Sequence, residues 1–299
     1  MLAEAERDFS SLARLGDPQT NRQLLAALEA RGAGNDAEFL RANLLRRMGD
    51  LASARDVLAR WIERERPAGV GPLHPWSAIP AGLFTQDTFA LAPLVVIDDF
   101  LPVVRMQALH AHACEREPLF ERAKAGAAPA YDPDRRKTLL DWMFTLEREE
   151  FQGFVTANLG QLRTCLGLAD FEVSRLEIKL SNHVDGGFFK IHADNHDPTH
   201  AEGRAITWLY YFDDGEGHFD GGDLLLVDTD LPRRDLSRSW FTRVLPRRNR
   251  FIAFPSWFFH AVSPTRLHSH DFAHGRFAIS GHVRKVADAA KGWWEKETL

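Results

Sequence analysis

Residues 186–195 read GGFFKIHADN, a glycine turn followed by a short strand that ends in His192 and Asp194. Side chains on a strand repeat every two residues, so His192 and Asp194 point to the same face. Two ligands from one strand need a third from elsewhere. His260 is the best candidate, because it follows the aromatic strand in FIAFPSWFFHAVSPT (251–265). Two imidazoles and one carboxylate make the facial triad that holds Fe(II) and leaves positions open for other ligands. A lone H-x-D is a weak signal; its order and surroundings strengthen it. A Gly186-Gly187 turn precedes it. A strand with Tyr210-Tyr211 follows, then GGDLLL (221–226), the second histidine and an arginine-led strand.

Short apolar runs alternate with turns around this segment: EVSRLEIKL (172–180), RAITWLYYF (204–212), GGDLLLV (221–227), RFIAF (250–254) and RFAISGHV (276–283). Such spacing predicts a β-sandwich or barrel. In the last run, alternation puts Arg276, Ala278, Ser280 and His282 on one face, and Phe277, Ile279 and Val283 on the other. A forked, permanently charged guanidinium facing a barrel interior requires an anionic partner, and a dicarboxylate cosubstrate supplies one through a bidentate pair. His282 shares that face and either lines the pocket or sits in the core. Lys190 shares the face of His192 and either reaches an acidic group or snorkels outward.

Taken together, these segments resemble the Fe(II)/2-oxoglutarate-dependent dioxygenases of the prolyl 4-hydroxylase type. The resemblance spans roughly residues 93–285, from PLVVIDDFLPVVRMQALHAHA through HADN, RAITWLYYF, FDGGDLLL and FPSWFFHAVSPT to RFAISGHVR. It implies an α+β fold, with a double-stranded β-helix (a cupin-like jelly roll) as catalytic domain and supporting helices. It implies that His192, Asp194 and His260 ligate iron and carry catalysis. Arg276 would bind the distal carboxylate of 2-oxoglutarate. Tyr211 matches the family's helper hydroxyl, and Ser280 its hydroxyl partner on the arginine strand. Fe(II), 2-oxoglutarate and O2 would then hydroxylate a C–H bond with release of succinate and CO2. Asp194 argues against halogenation, since halogenating relatives carry a small residue there. Phe189 stands where many relatives carry tyrosine.

The first third is different. Residues 1–66 carry helical stripes: Leu24, Leu25 and Leu28; Leu40, Leu44, Leu45 and Met48; Leu51, Ala54, Leu58 and Trp61. At an offset of 33, Arg14, Gly16, Asp17, Arg22, Leu25 and Arg31 meet Arg47, Gly49, Asp50, Arg55, Leu58 and Arg64. That offset resembles the tetratricopeptide period of about 34. The plainer alternative is a helical extension of the main domain. The resulting organisation is a tetratricopeptide-like region (1–66), a Pro/Gly-punctuated linker (67–92), the dioxygenase domain (93–285) and a tail (286–299) that carries Trp293 and Trp294. Within the main domain, 123–137 reads as a mobile loop and Leu139–Leu168 as helical.

Composition narrows the function. The 299 residues hold 37 Lys plus Arg against 42 Asp plus Glu, a net charge of −5. No global field holds a polyanion, so nucleic acid is disfavoured as a partner. The arginines of 233–250 form either a solvated insertion or a local site for an acidic peptide or nucleic-acid backbone. Two cysteines give no disulfide framework. No apolar run is long enough to span a bilayer, and MLAEAERDFSS lacks a leader's pattern, so no membrane and a cytoplasmic location are expected. His196 and His200 read as loop residues. His268, His270 and His274 crowd one loop without a second cluster at zinc spacing. The helical region points to a peptide or protein substrate. The alternatives are a free amino acid or small metabolite, and a non-catalytic interaction protein.

Overall fold

Alternating apolar and polar residues build two antiparallel sheets that share one interior. The computed structural model describes residues 15–30, 35–86, 88–124, 131–142, 147–195, 203–215, 217–230, 232–233 and 235–286. Eight strands form the frame: β1 (Val173–His183), β2 (Phe188–His192), β3 (Arg204–Phe212), β4 (Leu224–Asp230), β5 (Asp235–Val244), β6 (Arg250–Pro255), β7 (His260–Val262) and β8 (Arg276–Lys285). One sheet runs β1-β8-β3-β6 and the other β2-β7-β4-β5. Apart from the β4–β5 hairpin, successive strands thus cross between sheets, the winding of a jelly roll. Shorter strands widen both sheets. Ser77–Ile79 and Leu94–Ile97 extend the first beyond β6, and Leu139–Asp141 and Glu121–Arg122 extend it beyond β1. Phe84–Gln86 and Phe89–Ala90 extend the second beyond β4, and Arg136–Lys137 pairs with β2.

The two faces of the first sheet carry different residues. Ile178, Leu180, Trp208, Tyr210, Phe277, Ile279 and Val283 face helices α4 (Val103–Glu115), α5 (Arg148–Ala157) and α6 (Leu159–Leu166), with Leu109, Phe151, Val155 and Leu162 fully buried against them. Phe151 stacks on Trp208 at 5.9 Å and 6°. The inner face is polar by comparison: Glu177, Lys179, Ser181 and His183 on β1 lie beside His282, Ser280, Ala278 and Arg276 on β8. A face of this kind, buried yet polar, is where a ligand belongs.

Helices α1 (Pro18–Ala30), α2 (Asn35–Met48) and α3 (Leu51–Glu65) precede the strands. Two positions matched at offset 33 fall at helix starts. Gly16-Asp17 and Gly49-Asp50 each start a helix, with Asp17 accepting from Thr20 N (2.7 Å) and Asp50 from Ser53 N (3.1 Å). The three stripes fare unequally. Leu44, Leu45, Leu51, Ala54 and Leu58 are buried, whereas α1 buries only Asn21 and leaves Leu24 47% exposed. The α3 side chains join one apolar core with Leu224, Leu226, Ile252 and Phe254 of the barrel.

Three readings change. Residues 67–92 are more than a connector, since three short strands lie within them. Leu139–Asp141 is a strand rather than helix, because it pairs with β1, and the helices run from 148. The arginine-rich stretch is part of the sheets rather than an insertion, and four of its described arginines are paired. It contains β5 and β6, and Arg233, Arg243, Arg248 and Arg250 pair with Asp230, Asp223, Asp213 and Asp98. Of the loop 123–137, residues 125–130 fall outside the described set, as do His196, His200 and the tail from 287. Among the described residues, no helix is long and apolar enough to cross a membrane.

Candidate metal centre

β2 and β7 are neighbours in register, with His192 opposite His260. The pairing brings the H-x-D strand and the distant histidine together. One ligand atom each from His192, Asp194 and His260 lies within 4.8 Å of the others. His192 Nδ1–H donates to the Lys190 carbonyl (2.8 Å) and His260 Nδ1–H to the Phe258 carbonyl (3.0 Å). These bonds fix the tautomers and leave both Nε2 lone pairs free. They face the Asp194 carboxylate, at 3.6 Å from Oδ1 and 3.4 Å from Oδ2. Lys190 therefore serves the site through its carbonyl.

The carboxylate is held from behind. The Thr207 hydroxyl donates to Asp194 Oδ2 (2.7 Å), and Ser256 (2.9 Å) and His282 Nδ1 (3.2 Å) approach the same hydroxyl. Burial would raise the Asp194 pKa, but the imidazoles of His260, His282 and His192 outweigh it and hold the group well below the usual range. Burial, with the neighbouring His192, pushes His260 down to about 4. At neutral pH this histidine is an uncharged donor beside a carboxylate, as a divalent cation requires. Phe189 stacks on the His192 ring at 3.6 Å, and Phe254 meets His260 edge-on at 5.0 Å, so apolar rings limit water around the ligands.

Arg276 opens β8 and is fully buried. Its NH2 donates to the Tyr211 hydroxyl (3.3 Å), its NH1 meets His183 Nδ1 (3.0 Å), and its guanidinium lies 4.8 Å from the Tyr211 ring centre. Burial depresses its pKa and Tyr211 and Asp223 oppose this, but an arginine stays charged. Its Nε and the Thr265 hydroxyl are both buried and unpartnered. A Cβ on Gly222 would lie 2.6 Å from Arg276 Cδ and 3.0 Å from Thr265 Oγ1. This cradle, with orphaned donors around a charge, fits a carboxylate. Ser280 faces inward opposite Lys179 and Leu209, four residues along the strand from Arg276, and makes no hydrogen bond to it.

The sequence reading missed several participants. His183 is buried and locked between Arg276 and the Thr138 hydroxyl (2.8 Å), and burial first, then Arg276, drives its pKa well below normal. Thr207 and Ser256 carry the support of Asp194. Arg136, from the strand beside β2, lies over Phe189 at 4.4 Å, and Lys179 Nζ lies 5.6 Å from the half-exposed Trp142 ring. Burial lowers Arg136 to about 10, and burial with Arg136 and Arg204 lowers Lys179 to about 8. The one available signal was the period of two in EVSRLEIKLSNH, which sets Glu177, Lys179, Ser181 and His183 on one face.

Residues 178–284 match the family model described as 2OG-Fe(II) oxygenase superfamily. That segment is similar to the 2OG-Fe(II) oxygenase domain. It contains β2, β3, β7 and β8 with all six residues singled out above. The superfamily uses Fe(II), 2-oxoglutarate and O2. A PKHD-type hydroxylase of Synechocystis sp., described as uncharacterized, is 36% identical over 141 residues, 47% of this chain and 45% of the relative. The chain thus spans less than half of that relative's length. Among solved structures, a Pseudomonas putida prolyl-4-hydroxylase is similar at 20% identity and TM-score 0.47, covering 65% of this chain and 93% of its own. A Trichoplax adhaerens prolyl hydroxylase, solved with a hypoxia-inducible-factor peptide, is similar at 18% and 0.47, covering 64% and 83%.

Gly222 offers a first test of the cradle. Its φ is +68°, so alanine there is strained as well as obstructed by Arg276. Gly222→Ala is expected to weaken 2-oxoglutarate binding more than tenfold while leaving metal affinity within about twofold. Equal 2-oxoglutarate affinity in titrations of both proteins would show that the cradle does not hold the cosubstrate.

Proposed function

We propose that this protein is an Fe(II)- and 2-oxoglutarate-dependent hydroxylase that oxidises a C–H bond of a peptide or protein side chain. The observation that carries the reading is the convergence of His192, Asp194 and His260 beside a buried, incompletely partnered Arg276. In this reading His192, Asp194 and His260 hold the iron, and Arg276 with Tyr211 holds the distal carboxylate of 2-oxoglutarate. Ser280 lines the stretch between. When bound, the metal, 2-oxoglutarate and O2 would together convert C–H to C–OH, one oxygen atom of O2 going to the substrate and the other to succinate, with release of CO2.

The chain's own residues orient and exclude. Thr207 fixes the Asp194 carboxylate, and the Lys190 and Phe258 carbonyls fix the imidazole tautomers. His183 accepts from Arg276 and keeps the guanidinium in the cradle. Phe189 and Phe254 shield the ligands from water. The tetratricopeptide-like reading of 1–66 belongs with a polypeptide substrate, supported by the recurring Gly-Asp helix starts. Succinate formation that needs Fe(II), rises with a substrate peptide and vanishes in His192→Ala is the expected result. Turnover unchanged in that variant would sink the assignment.

A second reading, the same chemistry on a small metabolite, draws on Arg136 and Lys179. Asp194 is the carboxylate acting on both, and a metal would neutralise it. Among the described residues, two cations are then left at the site without a balancing charge, apart from Glu177, which already serves Arg175, Arg204 and Arg284. A substrate carboxylate would relieve that cost. Free amino acids and their N-acetyl, N-methylamide forms, compared for stimulated succinate release, separate the readings. Free acids alone should stimulate a metabolite enzyme, and blocked forms or peptides a polypeptide hydroxylase. If Lys179 contacts the carboxylate, KM should rise as pH passes about 8, where the lysine loses its charge among Arg136, Arg204, Asp194 and Glu177. A flat KM between pH 7 and 9 would exclude that contact.

A further inference from the structure

A second group of metal-ligating side chains lies at the other end of the barrel. Asp214 and His218 come from the turn after β3, and His274 from the segment before β8. Asp214 Oδ1 is 2.9 Å from His218 Nε2, and the imidazoles of His218 and His274 lie parallel at 4.0 Å and 2°. One donor atom from each of the three falls within 4.8 Å of the others, as at the first site. The group is separate from that site. Asp194 meets β3 at Thr207, whereas Asp214 follows its far end at Phe212, about 16 Å away at strand rise.

The donors are supported from behind. Phe219–Gly221 pairs with Thr265–Leu267, and His268 N donates to the His218 carbonyl (2.9 Å), so the two loops are already tied together. His274 ends a one-turn helix capped by Asp271, and His110 Nε2 meets the Ala273 carbonyl in that turn (2.9 Å). The Ser269 hydroxyl lies 2.6 Å from His274 Nδ1. A partner on Nδ1 leaves Nε2 as a ligand, the usual outer arrangement of a metal-bound histidine. The neighbourhood is also electronegative: burial, reinforced by Asp214 and Asp271, pushes the Cys114 thiol up to about 11.

We propose that Asp214, His218 and His274 form a second divalent-metal site, suited to Zn(II), that clips the β3–β4 turn to the segment leading into Arg276. Two imidazoles and a carboxylate are borderline donors that favour zinc over magnesium or calcium. A bound ion needs ligand atoms about 3.3 Å apart, a small contraction from the present spread. This site does not depend on the proposed hydroxylase activity.

Equilibrium dialysis of the full chain against micromolar Zn(II), read by elemental analysis, tests it. The expected result is two equivalents in the parent protein and one in His192→Ala/His260→Ala. Asp214→Asn, His218→Gln and His274→Gln should each lose one equivalent and keep the other. Asp214 is 43% exposed, so Asp214→Asn keeps the test decisive even if a histidine variant misfolds. A parent protein that binds no equivalent removable by Asp214→Asn would overturn the site. So would a second equivalent that survives both Asp214→Asn and His218→Gln, or complete loss of zinc from a folded His192→Ala/His260→Ala protein.

Discussion

His260→Ala is expected to abolish the visible charge-transfer band that the parent protein develops when titrated anaerobically with Fe(II) and 2-oxoglutarate. The histidine supplies one of three converging ligand atoms, and its ring is fixed by the Phe258 carbonyl. Removing an outer partner of a metal ligand costs about 10–100-fold in affinity, and removing the ligand itself should cost at least the upper figure. Arg276→Ala should behave differently. It leaves the triad intact, so the band persists at saturation. Binding of 2-oxoglutarate weakens, because truncating one side of a buried charge pair costs about 2–5 kcal/mol, or roughly 30- to several-thousand-fold. Two variants with distinct signatures separate metal binding from cosubstrate binding. A band unaltered in His260→Ala, or none in the folded parent, would remove the basis for the hydroxylase reading.

The parts of this centre that sequence made legible follow from strand geometry. His192 and Asp194 share a face because the strand period is two, and Arg276 faces inward by the same rule on β8. Tyr211 was named from a resemblance, and it does touch Arg276; Ser280 was named in the same way, and it lies further along β8 without touching it. What stayed hidden depends on strand pairing, which one sequence does not give. His183 meets Arg276 because β1 and β8 pair with those residues opposite each other. Arg136 reaches Phe189 because a two-residue strand adds to the edge beside β2. Asp214 and His218 gain His274 only because a small ladder joins loops about fifty residues apart.

The fold was similarly uneven. RAITWLYYF matches β3 residue for residue, since every position is apolar, β-branched or aromatic apart from the leading arginine. β5 was hidden by its arginines and serines, which suggest a solvated stretch until Asp223 appears beside Arg243. The short strands of 77–90 carry no periodicity of their own. They exist because they complete the edges of sheets whose centres lie more than a hundred residues away.

The second large effect lies where helix α2 meets the barrel. Arg46 donates to both oxygens of Asp228 (2.7 and 2.6 Å) and to the Thr242 hydroxyl (3.1 Å), with Asn43 accepting its Nε–H (2.8 Å). Both side chains are 0% exposed, and the Thr85 hydroxyl donates to the same carboxylate (2.8 Å). Arg46→Ala strands a desolvated carboxylate and is expected to destabilise the protein by about 3–5 kcal/mol. Arg46→Met with Asp228→Leu replaces the pair by apolar groups and should recover much of that loss. Denaturant unfolding of the single and double variants measures both. A single variant within 1 kcal/mol of the parent would mean that the pair is solvated and the helices merely rest on the surface. The expected result has a wider consequence. Leu45, Leu51, Ala54, Leu58 and Ile62 lie in the barrel's own core, and Arg47 adds bonds from α2 to Asn21 and to the Ser239 carbonyl. Deleting residues 1–66 would therefore expose that core and leave Asp228 unpaired. The contribution of these helices to substrate choice has to be measured with surface substitutions on α1, such as Leu24→Glu, in a chain that keeps α2 and α3 in place.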